Sequence, residues 1–129
     1  MGRPVSSGDG PADQKLCACE GGTLVKFIQP TILSLLNRQP CHGYELLQRI
    51  SQTKMWKDNT PDPSGVYRVL RDMEKKGLVK SQIVHDSEVG LGRKVYCLTA
   101  EGITCRHKWL KTLENYQDDL TEVIDLLKS

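Results

Sequence analysis

The sequence predicts a mainly α-helical fold with one small β-hairpin, and three observations carry that prediction. A segment opened by Asp62-Pro63 and closed by Gly77 has helical spacing between those marks. Two β-rich runs, 79–85 and 94–98, follow it. The residues from about Ala100 to Lys128 then read as one long helix. At 129 residues, the chain makes one domain of ordinary size, which excludes a second catalytic domain.

Residues 1–22 are rich in Gly, Pro and Ser and nearly devoid of large apolar side chains, so they are expected to form a flexible N-terminal arm. From Thr23 the composition changes, with Leu24, Val25, Phe27, Ile28, Ile32, Leu33, Leu35 and Leu36 forming an apolar segment. Pro30 fits the first turn of a helix ending near Asn37-Arg38, where its missing N–H would be unpaired anyway. After Gln39-Pro40, residues 41–50 place Leu46, Leu47 and Ile50 on one face of a short second helix. Two helices joined so tightly must cross steeply, as in a helix-turn-helix. The stretch 51–60, polar apart from Met55 and Trp56, is expected to be a loop.

The third helix is the best marked. Asp62 is its N-cap, Pro63 its first residue, Gly77 its stop, and Leu78 the apolar contact beyond it. At 100° per residue, Val66, Val69, Leu70 and Met73 share one face, while Ser64, Arg68, Arg71 and Lys75 share the opposite one. One face is core and the other is basic. The two β-rich runs enclose a glycine-containing tip at 86–93 and read as a hairpin. Thr99 then caps the last helix, roughly 40 Å long at 1.5 Å per residue, which exceeds what so small a domain needs.

Helix, helix, helix, hairpin, helix is the order of a winged helix-turn-helix with a C-terminal extension. The residues themselves bear a family likeness. Pro40-Cys41-His42-Gly43-Tyr44-Glu45-Leu46, then Gly65-Val66-Tyr67, then Arg93-Lys94-Val95-Tyr96-Cys97-Leu98-Thr99-Ala100-Glu101-Gly102 resemble the PadR family of transcriptional regulators. The likeness runs from about Phe27 to the C-terminus. It implies a homodimeric winged-helix repressor with a single-helix C-terminal region. The expected organisation is an arm at 1–22, a winged-helix DNA-binding domain at 23–99 and a dimerisation helix at 100–129.

The formal charge of +2 conceals an uneven distribution. Residues 23–99 carry 12 Lys and Arg against seven Asp and Glu, whereas 100–129 carry four against six. A basic middle beside an acidic tail suits a polyanion and a separate segment with another task. On the third helix, arginine can read guanine with two hydrogen bonds and lysine can neutralise phosphate, so Ser64, Arg68, Arg71 and Lys75 are candidate DNA contacts; the alternative is a solvated face. The resemblance adds Tyr44 and Tyr67, for phosphate contact or for packing under the third helix. Many relatives follow the latter tyrosine with proline where this chain has Arg68. Base reading by Arg68 therefore comes from this sequence alone. At the wing, His85, Arg93 and Lys94 are candidates for backbone or minor-groove contact, opposed by Asp86 and Glu88, with ordering of the hairpin the alternative for Arg93.

On the last helix, Ile103, Leu110, Leu113, Leu120, Ile124 and Leu127 occupy a and d heptad positions, with Trp109, Tyr116 and Val123 beside them. Such a stripe is most economically covered by the same helix of a second subunit. Trp109 and Tyr116 at that seam pack the interface or line an effector pocket.

Five cysteines, Cys17, Cys19, Cys41, Cys97 and Cys105, are an odd number, and a reducing compartment would keep them as thiols or metal ligands, so no disulfide framework is expected. Cys17-Ala18-Cys19 can hold a soft metal ion with Cys105 or Cys41 if the arm folds back. It can instead act as a redox switch, or be two inert thiols, and the spacing leaves these open. Cys97 reads as a small packing residue. No other cofactor motif is present, and no nucleophile-base grouping or phosphate loop points to an enzyme. The first 22 residues have no hydrophobic signal region and no segment is long and apolar enough to span a membrane, so the expected location is the cytoplasm. The expected function is sequence-specific DNA binding by a homodimeric repressor, released from its operator by a small-molecule, metal or redox effector. The competing function is a winged-helix module that binds a protein partner and no DNA.

Overall fold

The structure, a computed structural model, describes residues 18–85 and 92–129. After short 3-10 turns at Ala18–Glu20 and Leu24–Phe27 come α1 (Ile28–Arg38), β1 (Cys41–His42), α2 (Gly43–Gln52), α3 (Lys54–Asp58), α4 (Pro63–Lys75), β2 (Val79–His85), β3 (Gly92–Leu98) and α5 (Ala100–Lys128). The expected winged helix-turn-helix with a long C-terminal helix is thus present. The 1–22 arm lies outside the described residues except for its last five, which form a 3-10 turn and Gly21 at φ +91°. The wing tip with Asp86 and Glu88 also lies outside them.

Three local expectations need correction. The second helix begins at Gly43 instead of residue 41, because Cys41 and His42 are extended and pair with Tyr96 and Val95. The hairpin is therefore part of a three-stranded antiparallel sheet of order β1-β3-β2. The second helix continues to Gln52, and the expected loop at 51–60 contains α3. What organises that stretch is Trp56, whose ring is buried and whose indole N–H donates to Thr31 Oγ1 at 3.1 Å. Thr53 supplies the cap, accepting from the Trp56 backbone N–H.

The core gathers Ile28, Ile32, Leu33 and Leu36 from α1, Leu46 and Ile50 from α2, Val66, Leu70 and Met73 from α4, and Val79 and Tyr96 from the sheet. Each helix thus contributes its i, i+3/i+4 apolar face. The ends of α4 are fixed as its sequence predicts. Asp62 accepts from the Gly65 N–H. At the other end Gly77 turns the chain at φ +78°, while its N–H donates to Glu74 and the Leu78 N–H to Met73.

The start of α5 is locked to that turn. Thr99 Oγ1 accepts from the Gly102 N–H at 3.0 Å and donates to the Gly77 carbonyl at 2.6 Å. Gly102 lies so close to the Leu78 carbonyl that a side chain there has no room. The first half of α5 packs on α1: the Trp109 indole N–H donates to Gln29 Oε1 at 2.8 Å, and its ring meets Phe27 edge-on with centroids 6.3 Å apart. Beyond that contact the apolar residues of α5 are exposed except for half-buried Leu113.

Candidate nucleic-acid interface

Helix α4 presents one continuous exposed face of Ser64, Arg68, Arg71 and Lys75 opposite buried Val66, Leu70 and Met73. Because α4 is capped at both ends and tied to β2 by Ser81 donating to Glu74 at 2.7 Å, these four side chains project from a rigid element. None of the four is engaged in an ion pair among the described residues; the pair on this helix, Asp72 with Lys76 at 3.0 Å, lies on its flank. The face offers two guanidinium groups and an ammonium to an acceptor outside the chain.

A second cluster lies between α4, α2 and the wing. Here a notch of roughly 450 Å³ is lined by His42, Gly43, Tyr44, Tyr67, Arg93, Lys94 and Tyr96. Four predicted contacts, Tyr44, Tyr67, Arg93 and Lys94, are thereby brought together, though they are scattered over fifty residues of sequence. Tyr44 is 65% exposed on the first turn of α2. Tyr67 leans across Gly43, where an added Cβ would sit 2.6 Å from its ring, so glycine is what lets the α4 tyrosine reach the notch. Lys94 Nζ stands 5.8 Å over the Tyr96 ring, which orients the ammonium without neutralising it.

Sequence reasoning missed His42. Its Nδ1 accepts from the Glu45 N–H at 3.4 Å and caps α2, while its Nε2 lies 3.5 Å from Arg93 Nη1. Its place immediately before a helix, where an acceptor is needed, is the signal that identifies it.

The α5 residues divide. Trp109 and Leu113 are half-buried against the chain's own domain, whereas Ile103, Leu110, Tyr116, Leu120, Val123, Ile124 and Leu127 are exposed. Between α1, α3 and α5 runs an open apolar groove of roughly 640 Å³, with Phe27, Leu35, Met55, Trp56, Leu113 and Tyr116 among its walls.

Of the cysteine cluster, Cys17 lies outside the described residues. Cys105 Sγ stands 3.9 Å from Gln29 Oε1 at the α1–α5 contact, and Cys41 is buried. Burial pushes the Cys41 thiol above its ordinary range, partly offset by nearby Arg49 and reinforced by Glu45. Among the described residues no group of three or more His, Cys, Asp or Glu is placed to hold a metal ion, and no helix is long and apolar enough to cross a membrane.

The fold is shared with solved structures. A PadR family transcription regulator from Clostridium difficile R20291 superposes with a TM-score of 0.66 at 24% identity, covering 76% of this chain and 98% of that one. A PadR-like transcriptional regulator from Bacillus cereus gives 0.67 at 19%, covering 78% and 94%. Bacillus subtilis PadR in complex with operator DNA gives 0.57 at 22%, covering 66% of this chain and 46% of that one. No curated protein matches the chain. Residues 32–108 match the model of the transcriptional regulator PadR-like family, which takes in the helix-turn-helix, the wing and the first third of α5, and the chain belongs to that family.

Proposed function

We propose that this chain is a DNA-binding repressor that works as a homodimer and is released from its operator by an effector. The observation that carries the DNA reading is the exposed, unneutralised row of Ser64, Arg68, Arg71 and Lys75 on α4, flanked by Arg93 and Lys94 on the wing. A helix of this kind fits the major groove while a wing meets the adjacent backbone. The B. subtilis neighbour bound to operator DNA supports it. Residues 23–99 act as the reading head and residues 100–129 as the dimerisation helix. The chemistry is binding, with no catalytic step.

Homodimerisation is supported by the α5 stripe, on which Leu120 is 57% and Leu127 79% exposed. Contiguous apolar surface on a helix calls for cover, and a second copy of α5 supplies matching side chains. Release by a small-molecule effector is supported by the groove that opens beside this stripe, with Trp56 and Tyr116 in its walls. Release by a metal or an oxidant would use Cys17, Cys19 and Cys105.

The test is selection of duplexes from random DNA by the full chain, followed by footprinting. The expected product is an inverted repeat whose half-sites are about 34 Å apart, one turn of DNA. Absence of any enriched sequence, together with absence of salt-dependent DNA affinity, favours a module that binds protein instead.

A further inference from the structure

The His42 imidazole has two jobs that one neutral ring cannot do within this chain. Its Nδ1 accepts the Glu45 N–H at the start of α2, so in the neutral ring the proton resides on Nε2. That makes Nε2 a donor, and the nearest nitrogen, Arg93 Nη1 at 3.5 Å, is a donor as well. Two donors facing each other form no bond. The adjacent carboxylate does not resolve this, because Glu45 is bonded to Arg49 at 2.7 Å and its other oxygen is 4.0 Å from Nε2, beyond hydrogen-bond range. Both residues line the same notch, together with Tyr67 and Lys94. One anionic oxygen between them satisfies both.

We infer that this notch holds one phosphate of the DNA backbone, with His42 Nε2–H donating directly to it beside Arg93. The inference rests on the DNA reading above and adds a residue and a role to it. The chemistry called for is a phosphate oxygen. Its source is the duplex, because the notch is bounded by Tyr67 of α4 and by the wing, the two elements that would straddle the same stretch of backbone. A neutral Nε2–H tautomer would add a hydrogen bond without displacing a counterion, whereas Arg93 adds both.

The experiment compares wild type with His42→Asn, which keeps an N-capping acceptor, and with His42→Ser as a second capping variant should the first fail to fold. Arg93→Ala serves as the cationic reference. Affinity for the selected operator and for random DNA is measured from 50 to 200 mM salt, with melting temperature as the fold control. His42→Asn is expected to weaken both DNAs about three- to tenfold, the range for one hydrogen bond, with an unchanged salt slope. Arg93→Ala is expected to reduce the slope by about one. An operator carrying a single methylphosphonate at the contacted position should lose affinity in wild type and show no further loss with His42→Asn. Long-range proton–nitrogen spectroscopy of the free protein should find the Nε2–H tautomer.

Wild-type affinity in both His42 variants overturns the inference while leaving DNA binding by α4 intact. So does a loss confined to one operator sequence, or an Nδ1–H tautomer. Saturation of the His42 ring resonances by inorganic phosphate, with no effect of His42→Asn on DNA, overturns the duplex assignment. No binding of any duplex by wild type removes the reading on which it rests.

Discussion

At Arg68, Arg71 and Lys75 the same exposed face holds groups of different chemistry, and their substitutions should differ accordingly. Arg68→Ala or Arg71→Ala is expected to cost about 1–3 kcal/mol on the operator and to relax preference at one base pair, as removal of a bidentate guanine contact does. Lys75→Ala should weaken all sequences alike. Competition titrations against single-base operator variants separate the two patterns, and unchanged affinity in all three variants would count against α4. Cys41 makes a prediction about pH. Its thiol is held protonated in the fold by burial, so the unfolded chain loses that proton first, at an ordinary value of 9.0. The contribution is complete below that pH and declines as pH rises through and beyond it. Thermal melts should show a steeper alkaline loss in wild type than in Cys41→Ala. The exposed face of α4 was legible because spacing alone places Ser64, Arg68, Arg71 and Lys75 together. His42 was not, since its role depends on Arg93, 51 residues away, across a strand pairing that involves only two residues of β1.

Among the elements, α4 and α5 could be bounded from sequence because their stops and starts are chemical: Asp62, Pro63 and Gly77 for one, Thr99 for the other. Helix α3 had no such legibility. Its five residues are too few to show a period, and a tryptophan in a polar stretch reads as a loop until Thr31, from another helix, meets its indole. The same reasoning explains β1, which exists because β3 offers it an edge. Asp62→Ala should cost about 1 kcal/mol through the lost cap. Thr99→Ala should cost more, about 1–2 kcal/mol, because the hydroxyl also serves the Gly77 carbonyl in the turn after α4. Urea unfolding of the two variants gives both numbers, and equal losses would mean that the bond to Gly77 adds nothing.

Across the whole molecule, the turn at Gly77 and Leu78 joins α4 to α5 through Thr99 and the close approach of Gly102. In the proposed dimer, this junction is the route by which an effector beside α5 would bias α4 and so alter operator affinity. In the proposed homodimer, the exposed α5 stripe is the seam that would set the spacing of the two heads. Leu120→Asp, which places a carboxylate in it, and truncation after Lys111 should each give monomer in sedimentation; a dimer in both would move the interface elsewhere. The apolar pattern of α5 was readable from sequence, but the division of labour along it was not. Trp109 has the spacing of the seam, yet Phe27 and Gln29 of α1 hold it against its own domain.

The proposed function stands or falls on whether the basic face of α4 and the wing bind duplex DNA. It is tested most directly by the salt dependence of full-chain binding to its selected operator. Log affinity is expected to fall linearly with log salt, with a slope of several units for a dimer, reduced by about one per protomer in Lys75→Ala. Operator affinity that is insensitive to salt, or a slope that Lys75→Ala and Arg93→Ala both leave unchanged, would contradict it.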